Sequence, residues 1–210
     1  LYLMLAFSVA NLIYFFALKS ADWKLWLYAS IGLRFLLIFA FPNLSDDIYR
    51  FIWDGRLILA GLNPYLTNPD TLLISQSDLF PQMKALFDGM GPLSASHYSN
   101  YPPLHQLPFI IAAMVSKHSV LGTVVTLRLF LIAADLGLLF FGKKLLEKLN
   151  IPVYHIFWYV LNPFIIIELT GNLHFEGIMI FFLVWSLYLL HIGKWQLSAV
   201  IFALSVSIKL

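Results

Sequence analysis

Long apolar runs separated by short polar stretches organise this chain. Leu1–Leu18, Leu25–Phe41, Leu104–Gly142, Ile151–Thr170, Gly177–Ile192 and Leu197–Leu210 carry few charges. A helix needs about 20 apolar residues to cross a bilayer, so these runs predict roughly seven transmembrane helices. Leu104–Gly142 is long enough for two, broken near Ser116–Ser119. The chain opens at Leu1 inside one apolar run and stops at Leu210 inside another, the pattern expected of a piece of a longer chain. Leu1–Leu18 has neither a basic leader nor a small-residue cleavage site and reads as a transmembrane helix rather than a signal peptide.

Asn43–Pro103 breaks the apolar pattern. It holds six of the eight Asp residues, and Asn63-Pro64, Asn68-Pro69, Gly91-Pro92 and Pro102-Pro103 mark turns. A loop of this length in a compact protein is usually functional or disordered. Its aromatics, among them Trp53, Tyr65, Phe80, Tyr98 and Tyr101, argue against disorder.

Within the loop, Asp46–Leu62 predicts an amphipathic helix. Ile48, Phe51, Ile52, Gly55, Ile58, Leu59 and Leu62 share one face, with Asp46, Asp47, Arg50 and Asp54 on the other. Ser45 is the expected cap, the two acids suit the positive end of the helix dipole, and Gly61 with Asn63-Pro64 ends the helix. This pattern predicts a helix lying in the membrane interface. The plainer reading makes Asp46–Arg50 and Arg50–Asp54 i,i+4 pairs on a solvated face, worth about 0.2–0.5 kcal/mol each.

Composition fits a lipid environment. The 210 residues are 60% hydrophobic and 11% charged, against about 25% charged in soluble domains. A net charge of +2 excludes nucleic acid as a partner. The absence of cysteine excludes disulfides, thiolate metal sites and cysteine nucleophiles. Lys19 and Lys24 flank one short connection, and Lys143, Lys144 and Lys148 another. If both face the cytoplasm, the Asp-rich loop is outside. Leu104–Gly142 must then cross an odd number of times, in conflict with two full spans.

Ser45-Asp46-Asp47-Ile48-Tyr49-Arg50-Phe51-Ile52-Trp53-Asp54-Gly55-Arg56, followed by Gly61-Leu62-Asn63-Pro64-Tyr65, resembles the first outer loop of polyprenol-phosphate-sugar-dependent glycosyltransferases of the GT-C superfamily. Among these it is similar to bacterial mannosyltransferase-like membrane proteins and to the catalytic subunit of glycosylphosphatidylinositol mannosyltransferase I. Tyr101-Pro102-Pro103-Leu104, Asn162-Pro163-Phe164 through Gly171-Asn172-Leu173-His174-Phe175-Glu176, and Ser205-Val206-Ser207-Ile208-Lys209 continue the resemblance in order. The resemblance implies an all-α, multi-pass bundle: helices in 1–42, an outer catalytic loop in 43–103 and helices in 104–210. It implies inverting transfer of a hexose, mannose above all, from a polyprenyl-phosphate donor to a lipid or glycan acceptor, at the outer face of a bacterial plasma membrane and among membrane lipids. Eukaryotic relatives carry Asp-x-Asp in this loop. Here the acids are adjacent, which leaves a divalent cation (Mg or Mn) on Asp46 and Asp47 an open question. Residues 66–100 are an insertion between Asn-Pro-Tyr and Tyr-Pro-Pro.

Such transfer needs a base for the incoming hydroxyl and positive charge for the leaving phosphate. Asp46 or Asp47 is the candidate base. Arg50 and Arg56 are candidate phosphate ligands, since Arg suits bidentate binding, with Asp54 orienting Arg50 or binding sugar. The resemblance puts His174 and Glu176 at the mouth of the donor site and Lys209 near the donor phosphate. Their plainer readings are a polar interfacial loop and a snorkelling Lys. Glu168 interrupts an apolar run and His105 adjoins Tyr101-Pro102-Pro103. Arg128 and Asp135, seven apart on one face, predict an ion pair inside the bundle. Two other functions remain open: a transporter or flippase, suggested by Arg34, Arg128, Asp135 and Glu168 in apolar surroundings, and a non-catalytic subunit of the same fold.

Overall fold

The computed structural model describes residues 23–209, whose regular elements are all helices, with no strand among them. The predicted helix Leu1–Leu18 lies outside the described residues. The helices are α1 (Trp23–Leu36), α2 (Asp47–Leu59), α3 (Pro69–Ser75), α4 (Met83–Ala95), α5 (Pro103–Ser116), α6 (Val120–Lys148), the short α7 (Phe157–Val160), α8 (Glu176–His191) and α9 (Trp195–Lys209). A 3-10 turn at Val153–Ile156 precedes α7, and a π-helix at Ile165–Gly171 precedes α8.

The long helix α6 sets the register of the others. Lys143 lies over the Trp23 ring, Asp135 pairs with Arg34, and Arg128 reaches the Ile38 carbonyl, so α1 runs antiparallel to it. Phe181 packs on Gly137, and Phe141 stacks on Trp185 at 4.9 Å, so α8 runs parallel. The Ser186–Ser198 bond, the Ser205 bond to the Met179 carbonyl and the Lys209–Glu176 pair lay α9 antiparallel to α8. Lys24, Lys143, Lys144, Lys148 and Lys194 therefore gather at one end of the bundle, and Asp47, Glu176 and Lys209 at the other.

By length and composition α6 can cross a membrane, whereas α5, α8 and α9 are shorter apolar helices. The predicted span Ile151–Thr170 is not one helix: its two halves meet at 62°. Asn162-Pro163 breaks it, because Pro disfavours helical backbone in the residue before it. The Asn162 side chain then accepts from the Phe164 N–H to restart the chain as a π-helix. The predicted break near Ser116–Ser119 separates α5 from α6, with Lys117 at φ 53° and Ser119 capping α6 through the Gly122 N–H.

The loop helix is buried within the fold on both faces rather than on one. On α2 the expected apolar residues Ile48, Phe51 and Ile52 are buried, but so are Trp53, Arg50, Asp54 and Arg56, none more than 4% exposed. Much of the charged face is not solvated either: Arg50, Asp54 and Arg56 turn inward onto partners from residues 81–118, while Asp46 stays exposed. Asp46 is the N-cap without a side-chain bond; Ser45 accepts from the Asp47 N–H instead. α2 and α5 run side by side, Phe51 stacking on Phe109 at 4.5 Å and Arg56 reaching the His118 carbonyl. A β-carbon on Gly55 would lie 2.5 Å from the Phe109 carbonyl oxygen, so this close approach requires glycine.

The expected Arg128–Asp135 pair does not form. Asp135 pairs with Arg34 at 2.5 Å, and Arg128 donates to the carbonyls of Thr170, Gly171 and Ile38. Seven residues places two side chains on one face but two turns apart. Arg34, from the antiparallel helix, arrives opposite Asp135.

Candidate active site

The motifs separated in sequence meet at the end of the bundle away from the lysines. Residues 66–100 loop out, and their flanks close on each other. The Tyr65 hydroxyl donates to the Tyr101 carbonyl at 2.6 Å, and the Ser99 N–H to the Pro64 carbonyl at 3.0 Å.

Asp47 opens α2, is half-buried, and lines a cleft of about 550 Å³ together with Arg50 and Tyr101. Burial, then the nearby Asp47 carboxylate, push the Tyr101 hydroxyl well above its ordinary range. The phenol therefore stays protonated beside the Asp47 carboxylate. Asp46 is exposed. Successive helical residues do not face each other, so the two acids diverge. No group of three or more His, Cys, Asp or Glu among the described residues is placed to hold a metal ion.

Across Tyr101 lies Lys209, at the end of α9. Its ammonium is 3.3 Å from Glu176 Oε1 and 5.9 Å from the Tyr101 ring centroid. His105 is fully buried, with ring centroids 5.1 Å from Tyr101 and 4.3 Å from Phe175. Pro102, Pro103 and Leu104 face Leu204, Val206 and Ser207 across a groove of about 540 Å³ beside Lys209.

His174 stands apart from that group, 3.7 Å from Glu168. Asn172 donates to Glu168 at 3.3 Å and accepts from the Leu44 N–H at 3.4 Å, which ties this loop to the segment entering α2. Leu173, fully buried, holds φ 62°, a backbone region that costs a residue with a β-carbon about 1–3 kcal/mol. Arg128 secures both segments from below through the Ile38, Thr170 and Gly171 carbonyls.

Arg50, Asp54 and Arg56 have other partners. Arg50 Nε lies 2.8 Å from Asp54, and its Nη1 donates to the Ser94 and His97 carbonyls. Asp54 accepts further from Ser99 at 2.5 Å and Gln106 at 3.1 Å. Arg56, near the other end of α2 from Asp47, bonds the Pro81 and His118 carbonyls and the Gln82 side chain. Ser99, Gln106 and Asn172 went unnoticed in the sequence as site residues. Tyr101 stood out only through its Tyr-Pro-Pro motif.

The sequence profile described as alpha-(1->6)-mannopyranosyltransferase, N-terminal domain, matches residues 21–210. The alpha-(1->6)-mannopyranosyltransferase A of Mycobacterium tuberculosis is 23% identical over 174 residues, covering 82% of this chain and 32% of that protein. The protein of the same name from Corynebacterium glutamicum is 25% identical over 182 residues, covering 82% of this chain and 34% of its own length. The chain thus spans about a third of the length of these curated relatives. No solved structure matches it significantly. With its profile match extending over nearly the whole sequence, the chain belongs to the alpha-(1->6)-mannopyranosyltransferase family, in the region of the N-terminal domain.

Proposed function

We propose that this region carries the reaction centre of a multi-pass membrane mannosyltransferase, which transfers mannose with inversion from a polyprenyl phosphate at the outer face of the plasma membrane. The observation that carries the reading is the meeting of Asp47, Tyr101 and Lys209 beside an apolar groove. The acceptor hydroxyl oxygen attacks the sugar C1 from the face opposite the phosphate. Its proton passes to the Asp47 carboxylate. The C1–O bond to phosphate breaks, and its electron pair stays on the phosphate, whose charge Lys209 stabilises. Glu176 holds the Lys209 ammonium in place. The groove lined by Pro102, Leu104, Leu204 and Val206 suits an isoprenoid tail. His174 flanks the donor side. Arg50, Asp54 and Arg56 act through the walls they fix.

Topology supports the same reading. The 15 residues from Arg128 to Lys143 rise about 23 Å, and the lysines beyond can snorkel over the rest of a hydrocarbon core of about 30 Å. In this arrangement α6 crosses once, from the level of the site to the lysines. Its first two turns, with α2, α4 and α5, form a cap outside the bilayer. Helix α5 then does not cross, which supplies the odd number of crossings that the lysine distribution requires. The outer unit accordingly runs beyond Pro103 to the start of α6. Arg34 and Asp135 pair with each other, and Arg128 is bonded to three carbonyls, which favours bracing over a conduction path.

The test uses full-length protein in lipid, a labelled polyprenyl-phosphate-mannose donor and a membrane-extract acceptor pool. The expected result is transfer, with the product anomer opposite to the donor's. No transfer from any polyprenyl-phosphate sugar would overturn the reading. Sidedness is read separately in a cysteine-free full-length background. An impermeant maleimide should label Lys84→Cys from outside intact cells and leave Lys148→Cys unlabelled.

A further inference from the structure

The cleft beside Asp47 has two walls of different origin. Asp47, Arg50 and Tyr101 belong to motifs shared with the family resemblance. Opposite them stand Ser94, His97, Tyr98 and Asn100, from the end of the insertion. This second wall is fixed by the core. Arg50 Nη1 donates to the Ser94 and His97 carbonyls, and Ser99 is bonded to Asp54 and to the Pro64 carbonyl. Arg50 is 3% exposed, and its Nη2 makes no hydrogen bond to the described residues although its side chain lines the cleft.

The wall chemistry selects the ligand. Arg50 is held in a buried pair with Asp54 at 2.8 Å. Lys209, in a half-exposed pair with Glu176 by the Tyr101 ring, is the more accessible cation for phosphate. What remains around the cleft is a hydroxyl, an amide, an imidazole and phenol rings. His97 Nδ1 lies 2.6 Å from the Leu93 carbonyl oxygen, which can only accept, so Nδ1 donates there and Nε2 is left for another partner. Tyr98 is 54% exposed. An exposed aromatic body among neutral donors and acceptors suits an uncharged group with many hydroxyls and an apolar ring face.

We propose that His97–Asn100, held by Arg50, forms an acceptor subsite that takes a sugar residue and presents its hydroxyl to Asp47. The proposal rests on the glycosyl-transfer reading and identifies the acceptor end of that site. The insertion then acts as a specificity element: its end decides what is glycosylated, while the motifs flanking it perform the transfer.

The test is calorimetric binding of a short α-(1→6)-linked mannose oligosaccharide to the full-length protein in lipid nanodiscs, without donor. Wild type should bind. Tyr98→Ala and Asn100→Ala should each bind about tenfold more weakly. In transfer assays the two variants should raise the acceptor KM and leave the donor KM unchanged. Equal affinity in wild type and both variants, no binding by wild type, or a change in donor KM alone would overturn the subsite. If wild type transfers normally and the variants match it, the subsite fails and the transferase reading stands. If wild type binds and the variants bind more weakly, but nothing is transferred, the cleft stands as a sugar-binding site and its acceptor role fails with the transferase reading. All these positions lie at the cleft surface, and unchanged thermal midpoints exclude misfolding.

Discussion

Asp47→Asn in the full-length enzyme lowers kcat by about 10²–10⁴-fold, the usual contribution of a positioned general base, while Asp46→Asn stays within a few-fold of wild type. The two acids are neighbours, yet the helix gives them different surroundings. Asp47 is half-buried in the cleft near the Tyr101 hydroxyl, whereas Asp46 is exposed at the cap. Asn keeps the size of the side chain but cannot take a proton. A base role therefore predicts loss of kcat with little change in either KM or in thermal midpoint. Tyr101→Phe should fall between the two, since it removes the hydroxyl beside the carboxylate and leaves the base. The measurement is steady-state transfer with labelled polyprenyl-phosphate-mannose. Wild-type turnover by Asp47→Asn would remove Asp47 from the reaction; a larger loss in Asp46→Asn would exchange the two roles.

The sequence disclosed this end of the molecule in part, and the limits have a physical cause. Helical periodicity found α2 and its apolar residues, because local spacing alone decides which side chains share a face. Periodicity does not say what covers the other face. The groups that bury Arg50 and Arg56 are backbone carbonyls of Ser94, His97, Pro81 and His118, 25 to 62 residues away. Carbonyls carry no side-chain signature, so a buried polar face and a solvated one read alike. The same limit hid the true partner of Asp135, 101 residues distant on another helix. The helix break at Lys117–Ser119 and the start of α8 were legible because Ser and turn residues mark them locally. The π-helix was not, since no local side-chain pattern in Ile165–Gly171 distinguishes it from an α-helix.

Proximity in space also explains why the ordered motifs carried more than each did alone. Asn63-Pro64-Tyr65 and Tyr101-Pro102-Pro103 are separated by the insertion, yet Tyr65 is bonded to Tyr101. Gly171 to Glu176 joins the segment entering α2 through Asn172 and Leu44. The family pattern was a list of segments that surround one place.

The largest effect on stability is expected at Asp135, away from the reacting groups. Asp135 and Arg34 are each 2% exposed, and Asp135 Oδ2 accepts from both Arg34 Nε and the Thr170 hydroxyl. Removing one member of a buried ion pair strands the other charge and costs about 3–5 kcal/mol, whereas replacing both with apolar groups is often neutral. Asp135→Leu should therefore destabilise the protein strongly, and Arg34→Leu with it should recover most of the loss. The exposed pair Lys84–Asp88, 68% and 57% exposed, provides the contrast: Lys84→Ala should change stability by no more than about 1 kcal/mol. The readout is unfolding of the purified protein in lipid, with the coupling taken from the four-variant cycle. A double variant no more stable than Asp135→Leu would show that Asp135 acts mainly through Thr170. That outcome would transfer the bracing role to the neighbouring clamp, in which Arg128 holds the Thr170 and Gly171 carbonyls beneath His174 and Glu176. Recovery in the double variant instead makes the pair a self-contained brace, and transfer activity should then return with stability.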